Sequence, residues 1–182
     1  MLSKKPLPLS KVYQLIEPGP VVMVTTANKE KANIMTMAWH MMVDFEPPLI
    51  ACVISNRNYS FKLLTKTKVC VINIPTVELI KEVVGVGKTM GAKIDKFKKF
   101  NFTQEAASLV DVPMIKECYA NLECKIVDTR LAKKYNIFIF EVVKAWITPA
   151  KKRPKTIHHV GNGLFIIDGK TMKLPFQSRK KE

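Results

Sequence analysis

Apolar positions in this chain recur mostly with a period of two, in short runs bounded by turn residues. The β-branched run VVMVTT at residues 21–26 predicts a strand, and Asn28, Lys29 and Glu30 predict a turn after it. Further strands are expected at 33–39 and 49–54, and VCVINI at 69–74 reads as a short buried strand. Residues 121–130 and 136–148 are longer strand patterns, expected to pair as a hairpin through 131–135. Residues 164–167 form a last short strand, turned at Asp168 and Gly169. Helical spacing is confined to three places. Residues 11–17 are stopped by Pro18, Gly19 and Pro20, and 60–65 form a second short helix. In 76–84, Val77, Ile80, Val83 and Val84 share a face that Leu79 extends, with Thr76 the expected N-cap. The glycine- and lysine-rich stretch 85–100 is the longest expected loop. Many strands, few helices and no βαβ rhythm predict a mainly β protein, a closed or nearly closed barrel decorated by two or three helices.

Length and composition narrow this picture. A chain of 182 residues suits a single domain over 1–182, with an N-terminal helix or arm at 1–20 and a basic tail at 170–182. Hydrophobic residues make up 47% and charged residues 25%, a globular balance. No apolar run reaches the roughly 20 residues needed to span a bilayer. The N-terminal segment has lysines but no continuous apolar stretch, so no signal peptide and a cytoplasmic location are expected. Cys52, Cys70, Cys118 and Cys124 form no CxxC pair, which removes zinc-ribbon and thioredoxin-type readings. They are expected to be small buried hydrophobes in a reducing compartment. The formal net charge is +15, clustered at 93–99, 151–155 and 179–181. Such a balance raises nucleic acid, a membrane surface or an anionic cofactor as partners. No recognition helix or RNA-binding sheet signature accompanies these clusters, so solvated surface is the expected reading.

Candidate chemistry concentrates in two neighbouring segments. The first sets Thr36, Trp39 and His40 among methionines, ahead of the corner Glu46, Pro47, Pro48. A strand end there offers unpaired backbone groups to the rim of a flat heterocycle, while Met35, Met37 or Trp39 covers its face. A purely structural core is the competing reading for such a methionine stripe. The second segment is Ser55, Asn56, Arg57, Asn58, Tyr59 and Ser60, which follows a strand and opens a helix. A helix N-terminus favours an anion, and the Arg57 guanidinium suits phosphate oxygens. An ordinary helix cap with a surface arginine is the bland alternative.

The motifs NIMTMAWHMMVDFEPPLIACVISNRNYSFKLL, VINIPT, DKF and NLECKIVD occur in that order along residues 33–143. This ordered set resembles the flavin reductase-like family, in its flavoredoxin-type branch. The resemblance implies an FMN-binding split β-barrel of Greek-key type, a few short helices, and a homodimer. It implies that Asn33, Thr36, Met37, Ala38 and Trp39 line the flavin ring. Ser55, Arg57, Asn58, Tyr59 and Ser60 then take the ribityl chain and phosphate. Gly87, Gly91 and Lys96 close over the flavin, with Lys96 a second phosphate cation. Where the family often carries serine before the second glycine, this chain has Met90, with Thr89 one position earlier. His159, in the pair His158 and His159 before Gly161, Asn162 and Gly163, matches a histidine near the flavin. Two histidines simply entering a glycine turn explain the pair equally well. Adjacent strand residues point to opposite faces, so the pair cannot chelate one metal ion.

With FMN as the redox cofactor, no side-chain acid, base, nucleophile or metal ligand is required. No GxGxxG follows a strand, so NAD(P)H as donor would bind on the barrel itself. Two functions follow from the resemblance. One is an NAD(P)H:flavin oxidoreductase. The other is a flavoredoxin-like electron carrier that exchanges electrons with an acidic redox protein, steered by the basic surface. A basic nucleic-acid-binding barrel is the rival from another class. It needs aromatics aligned on one strand face, and here they are scattered.

Overall fold

The computed structural model describes residues 3–29, 31–150 and 153–174. The charged tail at 179–181, Glu30 of the expected turn, and Lys151 and Lys152 lie outside the described residues. The strands, in chain order, are β1 (Lys5–Leu7), β2 (Val22–Ala27), β3 (Ala32–Met37), β4 (His40–Phe45), β5 (Pro48–Val53) and β6 (Val69–Ile74). They continue with β7 (Gln104–Glu105), β8 (Met114–Ile115), β9 (Ala120–Asp128), β10 (Ile137–Ile147), β11 (Ile157–Gly161) and β12 (Leu164–Ile167). The α-helices are α1 (Tyr13–Ile16), α2 (Tyr59–Thr67), α3 (Ile80–Gly87), α4 (Lys96–Lys99) and α5 (Ala132–Tyr135).

One antiparallel sheet carries the fold, in the order β3-β2-β6-β9-β10-β5-β4, with β1 added on β10. Its two end strands, β3 and β4, are consecutive in the chain and are joined only by Ala38 and Trp39. No ladder runs between them, so the barrel is split at this point. The expected mainly β barrel is therefore present, in its nearly closed form.

Strand β10 shows how the sequence fills the interior. Phe138, Phe140 and Val142 alternate inward with period two, and then Ala145 takes over. The register against β9 shifts between Val142 and Lys144, and the extra residue moves the inward set by one. Strand β2 is buried on both faces. Val22 and Val24 face the barrel interior, while Val21, just before it, and Met23 pack with Val83, Val86 and Phe97 outside. That second layer fixes α3 and α4 against β2 and β3. The cysteines are all free and buried, as expected, with Cys70 directly opposite Cys124 across β6 and β9.

Several expectations need correction. The strand expected at 33–39 stops at Met37, because Ala38 and Trp39 leave the ladder to make the split. Strand β4 was not expected. Its partly exposed pattern lacks clean alternation, and β5 pairing supplies its order. The loop expected over 85–100 contains the end of α3 and all of α4, where Asp95 Oδ1 accepts from Lys98 N at 3.1 Å. Thr76 caps no backbone group, since its hydroxyl donates to the Glu78 carboxylate. The β9–β10 hairpin forms as expected, but its connection folds into α5.

Candidate functional site

Strand β5 delivers the chain to a tight turn at the start of α2. Asn58 N donates to Ser55 O at 2.9 Å, and Arg57 N donates to Ser55 Oγ at 3.3 Å. Asn58 stands in extended conformation at the N-cap position and makes no side-chain cap bond. The first N–H groups of α2 have no carbonyl within the helix to reach, and together with the helix dipole they form a positive end. The Arg57 side chain is exposed beside them, and among the described residues it forms no ion pair.

Strand β3 faces this turn from across the split. Asn33 Nδ2 donates to Ser60 Oγ at 2.8 Å, and Thr26 Oγ1 donates to the same oxygen at 3.3 Å. Asn33 Oδ1 is buried and has no hydrogen-bond partner among the described residues. Thr36 Oγ1 donates to Val83 O at 2.7 Å, which clips β3 to α3 and leaves the hydroxyl only lone pairs to offer.

Two cavities adjoin here. The larger, about 790 Å³, is bordered by Thr36, Met37, Ala38, Trp39, Ser55 and His159. The smaller, about 260 Å³, is bordered by Asn33, Tyr59, Ser60, Gly91 and Lys96. Arg57, Asn58 and Gly87 border both. The structure thus brings every residue that the resemblance assigns to the flavin to one continuous cleft.

Lys96 does not belong to solvated surface, although it lies in a charged cluster. It is 4% exposed, and Nζ donates to Ile34 O at 2.7 Å and Val86 O at 2.9 Å. Burial pulls its pKa down to about 8. One of its three N–H donors remains for another partner. Trp39 is 72% exposed, so it forms a rim rather than a core residue. Met90 is exposed at the small cavity, and Thr89 gives its hydroxyl to Gly85 O and Val86 O.

The two histidines of β11 point apart. His159 packs against Phe165, ring centroids 5.2 Å apart, and both border the large cavity. His158 turns away, to Asp168 and Gly19. His40 lies off the cleft. Its Nε2 donates to Pro20 O at 2.7 Å, and burial holds its pKa below the usual histidine range despite that bond.

Sequence reading missed three contributors. Lys88 borders both cavities, and its place immediately after Gly87 was the available signal. Asn136 closes α5 in left-handed conformation, at φ 60°, and Oδ1 accepts from Asn56 N at 3.1 Å. Phe165 reaches the cleft only through the β11–β12 pairing, which no local pattern announced.

The flavin reductase like domain matches residues 16–165. The chain belongs to that family. Solved structures are similar to it. The FMN-binding domain of a flavin reductases-like enzyme from Shewanella baltica superposes with a TM-score of 0.88 at 25% identity, covering 96% of this chain and 98% of that one. Flavoredoxin of Desulfovibrio vulgaris (Miyazaki F) gives 0.78 at 22% identity, over 87% and 91% of the two chains, and shares the fold. Among sequence relatives, an uncharacterized protein of Archaeoglobus fulgidus is 36% identical over 63% of this chain and 64% of its own length. Uncharacterized protein YddH of Escherichia coli is 29% identical over 91% of this chain and 95% of its own. In this flavin reductase like chain, no described helix is long and apolar enough to cross a membrane.

Proposed function

We propose that this family member is an FMN-binding oxidoreductase, with the flavin ring in the large cavity and the phosphate in the small one. One observation carries the reading. A cavity walled by Met35, Met37, Val83 and Val84 runs into one at a helix N-terminus, and among the described residues the only charged ones bordering the pair are Arg57, Lys88 and Lys96. A flat apolar ring with an anionic tail suits such a cleft.

FMN, when bound, supplies the redox chemistry, taking electrons from a donor and giving them to an acceptor. The protein's part is binding and orientation. Arg57 and the first turn of α2 hold the phosphate, and Lys96 adds a second cation through its remaining N–H. Asn33 Oδ1, buried without a partner among the described residues, accepts from a ligand hydroxyl. Met35, Met37 and Val83 exclude water from the ring. Trp39, His159 and Phe165 frame the mouth, where NAD(P)H would approach.

The chain's charge of +15 favours a second reading, a flavoredoxin-like carrier that meets an acidic redox protein. Homodimer formation accords with apolar surface at Trp39 and along the edge strand β4 that follows it, where Met41, Val43 and Phe45 are exposed.

The test is the visible spectrum of the full chain, mixed with FMN and desalted. Retained bands near about 375 and 450 nm are expected from bound oxidised flavin. A colourless protein after desalting would overturn FMN as a resident cofactor. Stopped-flow bleaching by NADH, NADPH or reduced ferredoxin then separates reductase from carrier.

A further inference from the structure

The β11–β12 hairpin stands outside the main sheet. Among the described residues, its two strands pair only with each other. An isolated two-stranded hairpin is marginal in water, so something else must hold it in place. Ile157 is its one fully buried strand residue, packed in the layer of Val21 and Met23, and its carbonyl accepts from Val21 N at 2.7 Å. Val160, Leu164, Ile166 and Ile167 are exposed. Yet this hairpin carries His159, Gly163 and Phe165 to the cleft.

We infer that His158 is a positioning residue that latches this hairpin to the Pro18-Gly19-Pro20 turn and so sets the wall met by the second substrate. The inference rests on the flavin reading of the cleft. His158 follows Ile157 and precedes His159, so its ring leaves the opposite face of the strand from the one that borders the cavity. Nδ1 donates to Gly19 O at 3.0 Å, 139 positions away in sequence. Nε2 donates to Asp168 Oδ1 at 2.9 Å, at the far end of the same hairpin.

Each end of the latch is itself braced. Asp168 Oδ2 accepts from Thr156 Oγ1 at 2.8 Å, and the Arg153 guanidinium lies 3.9 Å from it. Partial burial pushes the Asp168 carboxyl up, but Thr156, His158 and Arg153 outweigh it and hold the group below its usual range. Gly19, at φ +68°, is fixed between two prolines, and the next carbonyl, Pro20 O, takes the His40 ring at 2.7 Å. The turn is thereby pinned to β4 on one side and to β11 on the other. Neither Asp168 nor Gly19 borders the cavities. Loss of the latch should therefore move the wall and leave the phosphate end intact.

Three substitutions separate the two bonds in the full chain. Asn at this position places an amide N–H near the Nδ1 site and can keep Gly19. Gln places one near the Nε2 site and can keep Asp168. Leu keeps neither. Hydrogen exchange of the hairpin amides, read without flavin, should rise about tenfold in His158→Leu and His158→Gln, with β6 and β9 unchanged. His158→Asn should exchange like the native chain. With FMN bound, His158→Leu should raise KM for NADH or NADPH several-fold more than it lowers kcat, and FMN affinity should hold within about threefold. Unchanged hairpin exchange in His158→Leu would overturn the latch, as would native behaviour in His158→Gln with loss in His158→Asn. If the exchange pattern holds while no variant nor the native chain retains FMN, the latch stands and the flavin reading fails. A fall in FMN affinity in His158→Leu as large as its rise in KM would overturn the assignment to the second substrate's wall.

Discussion

The side-chain amide of Asn33 donates to Ser60 Oγ at 2.8 Å, and both residues are buried. That bond ties the strand β3 to the first turn of α2, joining the two segments on which the proposed flavin site depends. Gly91 closes the same unit. A Cβ on it would collide with Asn33 Oδ1.

Gly91→Ala should therefore disrupt FMN binding through Asn33. The methyl group must push the amide aside, and the bond to Ser60 breaks with it. A cost of about 1–3 kcal/mol in stability is expected from overpacking at a buried contact. FMN affinity should fall by about tenfold or more, in line with one lost hydrogen bond and a displaced neighbour. Thermal unfolding without flavin and fluorescence titration with FMN measure the two effects. Asn33→Ala combined with Gly91→Ala should recover part of the stability, because the clash is gone.

Arg57→Ala should discriminate between flavins. The guanidinium is proposed to meet the phosphate, so FMN should bind about 10- to 100-fold more weakly, the usual worth of a charge-assisted pair. Riboflavin, which lacks the phosphate, should bind native and variant proteins alike. The exposed position makes a folding defect a poor explanation for any loss. Equal weakening for both flavins would place the phosphate elsewhere.

The parts of this fold legible in sequence are those whose burial follows local periodicity. Val69–Ile74 is buried from its second residue on, and the pattern gave its bounds without error. Strand β10 was legible over its inward phenylalanines, although its bulge at Val142–Lys144 left no local mark. Strand β4 was missed because Met41, Val43 and Phe45 are exposed, so no buried face writes its pattern. The site was legible at Ser55–Ser60, where strand, turn and helix start follow in a few residues. Phe165 and Asn136 reach the cleft by long-range pairing and by a helix end, which neighbouring residues do not encode. Lys96 was placed in the site by resemblance alone. Its local sequence, three lysines in four residues, argues for solvent, and only the carbonyls of Ile34 and Val86 explain its burial.

Glu123 supports a prediction about the frame of the barrel. Its side chain is fully buried and accepts from Trp146 Nε1 at 2.7 Å, Leu109 N at 2.6 Å and Ser108 N at 3.0 Å. Burial pushes the carboxyl up, but these bonds prevail and hold its pKa below the usual range. A depressed carboxylate adds stability above its unfolded pKa, and the contribution is lost as pH falls through the folded value. Glu123→Gln replaces an acceptor by a donor facing donors, so a loss on the order of 2–3 kcal/mol near neutral pH is expected. The Tm gap between native and variant should narrow as the pH is lowered below the ordinary carboxylate range. A gap that does not change with pH would mean that packing, not charge, sets the cost.

Lys96 makes the FMN site sensitive to alkaline pH. Burial lowers its pKa from 10.5 to about 8 in the chain without flavin. Between those values the unfolded chain binds more protons than the folded one, so stability without flavin should rise with pH in that window. Binding should move in the opposite direction. A phosphate beside Nζ favours the ammonium, so flavin binding takes up a proton once the free amine is neutral. Above about pH 8, FMN affinity should fall by up to about tenfold per pH unit, until the bound-state pKa is reached. The phosphate itself is a dianion throughout, with its second pKa near about 6, so it does not contribute to the slope. Lys96→Met should bind FMN more weakly at pH 7 and show no such fall. Fluorescence titrations from about pH 7 to 9.5 on both proteins decide the matter. A native profile as flat as that of Lys96→Met would remove Lys96 from the phosphate site and leave Arg57, Lys88 and the α2 N-terminus to hold the anion.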